Sequence, residues 1–193
     1  MNITKLTISL ATVVLSALPQ VTHASLLGDS VSCTTSPAPG QPPLVCDPSS
    51  ATVGSGVEFI LSEVSSLTFE LLKIDFGASS IIFTPFARTD FFFGDKVTFT
   101  SLDDALNPAR VIAAVSLSGI SDVTELTNAD LTFTDHSLTI DFNSVSFLNA
   151  NSTATIDLTF RDTTTKVPEP ASIALLGIAM VGLGFARRKP KQS

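Results

Sequence analysis

The chain contains no tryptophan and no tyrosine. That removes the side chains that combine an apolar ring with a polar handle, the usual platforms for stacking a sugar. Cysteine and histidine are nearly absent too, with two of each. Two thiols with no histidine nearby do not make a zinc site, which leaves Cys33 and Cys46 to a disulfide. No Gly-x-Ser-x-Gly elbow marks a nucleophile. His136, in Thr134-Asp135-His136-Ser137, reads as a turn residue ahead of a strand; a Ser-His-Asp site would need partners converging from distant segments. Gly54-Ser55-Gly56 lacks the lysine and the following helix of a phosphate loop and reads as a turn. No calcium-loop motif is present.

Basic residues are also scarce where acidic ones are not. All 18 acidic residues except Glu169 fall between positions 25 and 166, against six basic ones (Lys73, Arg88, Lys96, Arg110, Arg161 and Lys166), a net charge of about −11 for that stretch. Such a field disfavours nucleic acid, anionic lipid and acidic polysaccharide unless a cation bridges them, and it favours solubility.

What the stretch does contain is period-two alternation. Val57, Phe59 and Leu61 form one such set; Leu67, Phe69 and Leu71 another; then Val97 and Phe99; Val111, Ala113, Val115 and Leu117; Leu138, Ile140 and Phe142; and Ile156, Leu158 and Phe160. Alternation of this kind, rich in Thr, Val, Ile and Phe, describes half-buried antiparallel strands. A helix over Leu67 to Phe76 is the alternative, but Thr68, Phe69, Ile74 and Phe76 favour a strand. Turn clusters separate the sets at Gly54-Ser55-Gly56, Gly77-Ala78-Ser79, Asn107-Pro108 and Asn149-Ala150-Asn151. The expected fold is all-β, an antiparallel β-sandwich of jelly-roll type, with a barrel as the alternative. Charges near strand ends, such as Arg161 and Asp162, would guard its edges. Cys33 and Cys46 bracket a loop holding Pro37, Pro39, Gly40, Pro42 and Pro43. Closing it would stabilise the fold by roughly 3 kcal/mol in the chain-entropy treatment.

Both ends of the chain differ from this domain. Residues 1–24 combine Lys5, an apolar run from Leu6 to Leu18 and a polar stretch closing on Thr22-His23-Ala24. That is the make-up of a secretory signal, with cleavage expected between Ala24 and Ser25. At the other end Val167-Pro168-Glu169-Pro170 leads into an uncharged run, Ala171 to Ala186, stopped by Arg187, Arg188 and Lys189. As a helix the run spans roughly 24 Å, short of the ~30 Å hydrocarbon core by an amount that snorkelling arginines make up. Basic residues stay on the cytoplasmic side, so Lys5 and the terminal cluster place everything between them outside. The organisation is then a signal helix (1–24), an exported all-β domain (25–166) and a tail (167–193) with a transmembrane helix at 171–186.

Val-Pro-Glu-Pro-Ala-Ser, a Gly-rich apolar run and an Arg-Arg-Lys end together resemble the PEP-CTERM sorting tail, over roughly Val167 to Lys189. The resemblance implies processing by exosortase, a membrane-embedded cysteine transpeptidase-like enzyme of Gram-negative, often exopolysaccharide-producing bacteria. It further implies that Pro168, Glu169 and Pro170 are recognised, that 171–186 presents them at the membrane face, and that Arg187 and Arg188 retain the chain meanwhile. The physics agrees, since two prolines keep the segment extended and out of helix or sheet. Leu26-Leu27-Gly28-Asp29-Ser30-Val31 and the stretch from Ala51 to Phe59 resemble openings of other small PEP-CTERM exported proteins, which adds no chemistry.

The remaining chemistry is thin. Asp103-Asp104, or Glu63 with Glu70, are nominal carboxylate pairs for glycoside hydrolysis; in so acidic a chain they read as a solvated rim. Asp90, Asp95, Asp103 and Asp104 are the candidates for calcium. Phe91-Phe92-Phe93 would put a ring on each face of a strand and could form a contact patch. Asn151-Ser152-Thr153 is a glycosylation sequon. The function expected is therefore non-enzymatic, with no cofactor and no metal: a surface or extracellular-matrix protein. The alternatives are an exported glycan- or calcium-binding module and, further off, a hydrolase. Expected partners are the secretion translocon, signal peptidase and an exosortase-like enzyme, with exopolysaccharide as a further candidate and no nucleic acid. The expected route runs through an inner-membrane-anchored intermediate to the cell surface or matrix.

Overall fold

The computed structural model describes residues 25–91, 94–104, 107 and 109–163. The signal helix expected at 1–24 and the transmembrane helix expected at 171–186 lie outside them.

Fourteen strands run through the described residues. They are β1 (Ser30–Ser36), β2 (Leu44–Asp47), β3 (Ser50–Thr52), β4 (Val57–Val64), β5 (Thr68–Phe76), β6 (Ser80–Pro85) and β7 (Thr89–Asp90). The second half adds β8 (Lys96–Thr100), β9 (Arg110–Ser121), β10 (Val123–Thr124), β11 (Leu131–Phe133), β12 (Ser137–Asp141), β13 (Ser146–Phe147) and β14 (Thr153–Asp162). All pairings are antiparallel. They build a five-stranded sheet, β11-β12-β8-β1-β3, a six-stranded sheet, β2-β4-β5-β6-β14-β9, and a small sheet, β10-β13-β7.

The two large sheets face each other across one apolar core. Phe99 on β8 of the five-stranded sheet packs with its ring centroid 6.0, 5.1 and 6.3 Å from Phe59, Phe76 and Phe83 of the six-stranded sheet. Alternation explains how each strand contributes. On β8, Val97 and Phe99 are buried while Thr98 and Thr100 stand half-exposed; on β12, Leu138 and Ile140 are buried and Thr139 turns out to meet Thr98, hydroxyl to hydroxyl at 2.9 Å. The Cys33–Cys46 disulfide ties β1 of one sheet to β2 of the other.

The barrel alternative does not hold: each sheet ends on strands with a single partner, β11 and β3 in one, β2 and β9 in the next. Nor is the order that of a jelly roll, in which successive strands mostly pass between the two sheets. Here tight turns at Ser65–Leu67 and Gly77–Ser80 close local hairpins, so β4, β5 and β6 lie side by side in one sheet.

Bulges account for three departures from the expected alternation. On β5 the buried residues are Leu72, Ile74 and Phe76, whereas Phe69 is exposed and Leu71 only half-buried; Leu67, in the turn before the strand, is exposed as well. The register with β4 shifts between Leu61 and Ser62 and skips Leu71, and one extra residue reverses which face the rest present. On β4, Glu58 is skipped in the same way, which puts Val57 out and the Glu58 carboxylate in. On β9, Val111 and Ile112 are both buried, while Ala113 and Ser118 are skipped in the pairing with β14. Those bulges, and the Asn128 side-chain oxygen that accepts from Leu117 N–H at 2.7 Å, protect this long edge strand; Arg161 and Asp162 lie on its neighbour β14, opposite Val111 and Arg110.

Candidate functional site

The sorting residues Val167, Pro168, Glu169 and Pro170, the basic cluster Arg187, Arg188 and Lys189, and Ala24 lie outside the described residues. Ser25 is the first described residue, its hydroxyl accepting from Leu27 N–H at 3.2 Å.

Within the domain, several acidic residues, among them the calcium candidates Asp95 and Asp104, have structural roles. Glu58 is buried, and its two carboxylate oxygens accept from Gly54 N–H and Phe76 N–H, each at 2.8 Å. It thereby fixes the glycine turn before β4 and the end of β5. Asp29 does the same for the segment ahead of β1, accepting from Ser30 N–H at 2.9 Å and Asp103 N–H at 2.8 Å. Burial pushes the Asp29 carboxyl above its ordinary value, a rise that those two backbone donors oppose and the neighbouring Asp103 and Asp104 reinforce. Asp95, buried, accepts from Ala38 N–H at 2.8 Å.

Asp103 and Asp104 are adjacent in sequence but serve different partners. The Asp103 carboxylate meets His136 Nδ1 at 2.5 Å on the surface. Asp104, 1 % exposed, pairs with Arg110 Nη1 at 3.2 Å, and Arg110 Nε in turn reaches Asp162 at 2.8 Å. Glu63 stands opposite Phe69 and Glu70 opposite Ser62, so the two glutamates occupy opposite faces of the sheet and do not form a hydrolytic pair. Asp90 is exposed and held below its ordinary value, first by a hydrogen bond from Ser146 and then by Arg88, whose Nε lies 3.1 Å away. Among the described residues no three His, Cys, Asp or Glu side chains gather in a metal-binding group.

The other candidates resolve as follows. Cys33 and Cys46 are joined, as the spacing suggested. Phe91 is buried outside any strand and stacks on Phe142 at 4.6 Å; Phe92 and Phe93 lie outside the described residues. Gly54, Ser55 and Gly56 border an open hollow of about 460 Å³ above Glu58, whose carboxylate already serves the backbone. Asn151 is exposed in a turn where Asn149 accepts its N–H at 2.8 Å. The capping roles of Asp29, Glu58 and Asp95 were not visible in the sequence, because each carboxylate satisfies at least one N–H group of a distant segment.

Fold and surface together define an all-β, disulfide-linked domain of antiparallel sheets whose recognisable chemistry lies at the chain end rather than on the sheets. Residues 166–189 match the PEP-CTERM protein-sorting motif; the chain carries that signal, which supports its being an exosortase substrate, exported and sorted at the membrane. No curated protein and no solved structure matches the chain.

Proposed function

We propose that the protein is a non-enzymatic component of the cell surface or extracellular matrix, delivered as a two-sheet sandwich domain and released or transferred by exosortase at Pro168 to Pro170. In this reading residues 1–24 take the chain through the secretion translocon and are removed by signal peptidase after Ala24, and 171–186 hold an inner-membrane intermediate until processing. The observation that carries it is the sorting motif at 166–189 following, within a few residues, the end of the last strand at Asp162. The buried Glu58 and Asp95 and the half-buried Asp29 support a structural role, since all three are engaged in holding backbone N–H groups.

Replacing Pro168, Glu169 and Pro170 together by alanine should leave export and folding intact and trap an unprocessed membrane form. Intact-mass measurement of protein from medium and membranes reads both termini at once. A mass starting at Ser25 and ending near Pro168 to Ala171 is expected for the wild type, and wild-type-like release of the triple variant would sink the sorting claim.

A further inference from the structure

Both ends of the described chain leave the domain at one pole. Leu26 N–H donates to Ala78 O in the β5–β6 turn, Asp29 holds Asp103, Asp104 holds Arg110, and Arg110 holds Asp162 at the end of β14. Thr163 N–H then donates to Ala109 O at 3.0 Å, so the last described residue is fastened rather than frayed. From Thr163 to Pro168 is five Cα steps, at most about 18 Å when fully extended. If the tail is a membrane-anchored processing signal, on which this inference rests, the folded pole stands within that distance of the enzyme that reads Pro168 to Pro170.

Asp29, Asp103, Asp104, Arg110 and Asp162 of this pole are turned to one another, to His136 or to backbone N–H groups, while Asp135, Asp157 and Arg161 are exposed. What it offers outward includes two apolar side chains, Leu27, 48 % exposed, and Val57, 49 % exposed. Val57 lies opposite Asp75 at the end of β5, and Leu27 sits between the bonds from Leu26 to Ala78 and from Gly28 to Val53. We propose that this pole is a docking surface for the outward face of the membrane-embedded peptidase that processes the tail. A short tether raises the effective concentration of two linked contacts into the millimolar range. A small apolar contact that would be too weak between free molecules is enough under that condition. The opposite pole provides a matched control: the β4–β5 hairpin exposes Leu67 at 66 % and Phe69 at 51 %, about 30 Å away along the nine residues of β5.

The test is pulse-chase processing of the full chain in its native host, with protease resistance of the unprocessed membrane form reporting folding. Leu27→Glu with Val57→Glu should slow tail removal at least threefold, and Leu67→Glu with Phe69→Glu should not change it. A ten-residue Gly/Ser spacer between Thr165 and Lys166 leaves the domain untouched and should slow removal to a similar degree. Adding the Leu27 and Val57 changes to the spacer chain should cost nothing more. A photo-crosslinking residue at position 27 should give an adduct with the peptidase. Wild-type rates for the Leu27/Val57 pair, equal slowing by the distal pair, an unchanged or faster spacer chain, or adducts with lipid alone would each overturn the proposal. If the Leu27/Val57 chain does not fold, the spacer and the crosslink decide. Continued processing of the triple-alanine chain would instead remove the sorting reading itself, a separate result.

Discussion

The two poles of the domain are built from the same strands yet held by different proportions of carboxylate and ring contacts. At the pole where the chain ends leave, carboxylates close the structure: Glu58 and Asp29 cap backbone N–H groups, and Asp104, Arg110 and Asp162 link the last strand to β9. At the far pole rings share that work with Asp95, which accepts from Ala38 N–H, and with the Lys96–Asp141 pair; Phe142 is stacked on Phe91 and edge-on to Phe83 at 5.8 Å, with Phe147 beyond. An apolar contact is indifferent to direction, whereas a carboxylate bridging two N–H groups fixes both.

The largest expected effect lies at the aromatic pole. Phe142→Ala removes a fully buried ring from between Phe83 and Phe91 and should cost about 3–5 kcal/mol, the transfer and cavity terms together. Urea unfolding would measure it, and the same loss should appear at pH 7 and at pH 5, because no ionisable group is removed. A loss that changes with pH would mean the two poles are coupled rather than separately held.

At the charged pole the matching change is smaller. Glu58→Ala removes the acceptor of Gly54 N–H, which is exposed enough to turn to water, and strands the buried N–H of Phe76, a cost of about 1–3 kcal/mol for a buried donor left without an acceptor. Glu58→Gln keeps one acceptor and should lose less than the alanine variant. Equal losses in the two variants would show that the negative charge, not the pair of accepted bonds, matters here. Amide exchange at Gly54 and Phe76 would show where the protection goes.

Much of this contrast was hidden in the sequence, for identifiable reasons. Strands such as β8, β12 and β14 were legible, because Val97 and Phe99, Leu138 and Ile140, and Ile156 and Leu158 alternate without interruption. The phase of β5 was not, since a bulge at Leu71 is invisible until the register with β4 is known. The small sheet of β7, β10 and β13 has strands of two residues each, too short for any periodicity to declare. The disulfide was legible because only two thiols exist. The capping roles of Glu58 and Asp29 were not legible, since a carboxylate's role depends on which N–H groups face it, and some of those lie up to 74 positions away. The tail was legible for the opposite reason, its signal being local and linear.

The smallest effect sets the poles against each other by sign. Burial raises the Asp29 carboxyl at the charged pole above the usual 3.8, while Ser146 and Arg88 lower Asp90 near the aromatic pole below it. By linkage the state that holds a proton more tightly gains as pH falls. For Asp29 that is the folded state, so its contribution is present in full below the unfolded value and is lost as pH rises through the folded one. For Asp90 it is the unfolded state, so its contribution is present above the unfolded value and is lost as pH falls through the folded one. Carboxyl-carbon NMR titration of the folded protein should therefore place the Asp29 midpoint above 3.8 and the Asp90 midpoint below it. Asp90→Asn should also flatten the loss of stability on acidification. Midpoints in the reverse order would mean that the two backbone donors to Asp29 outweigh its burial, and the charged pole would then be one that acid loosens rather than one that acid leaves in place.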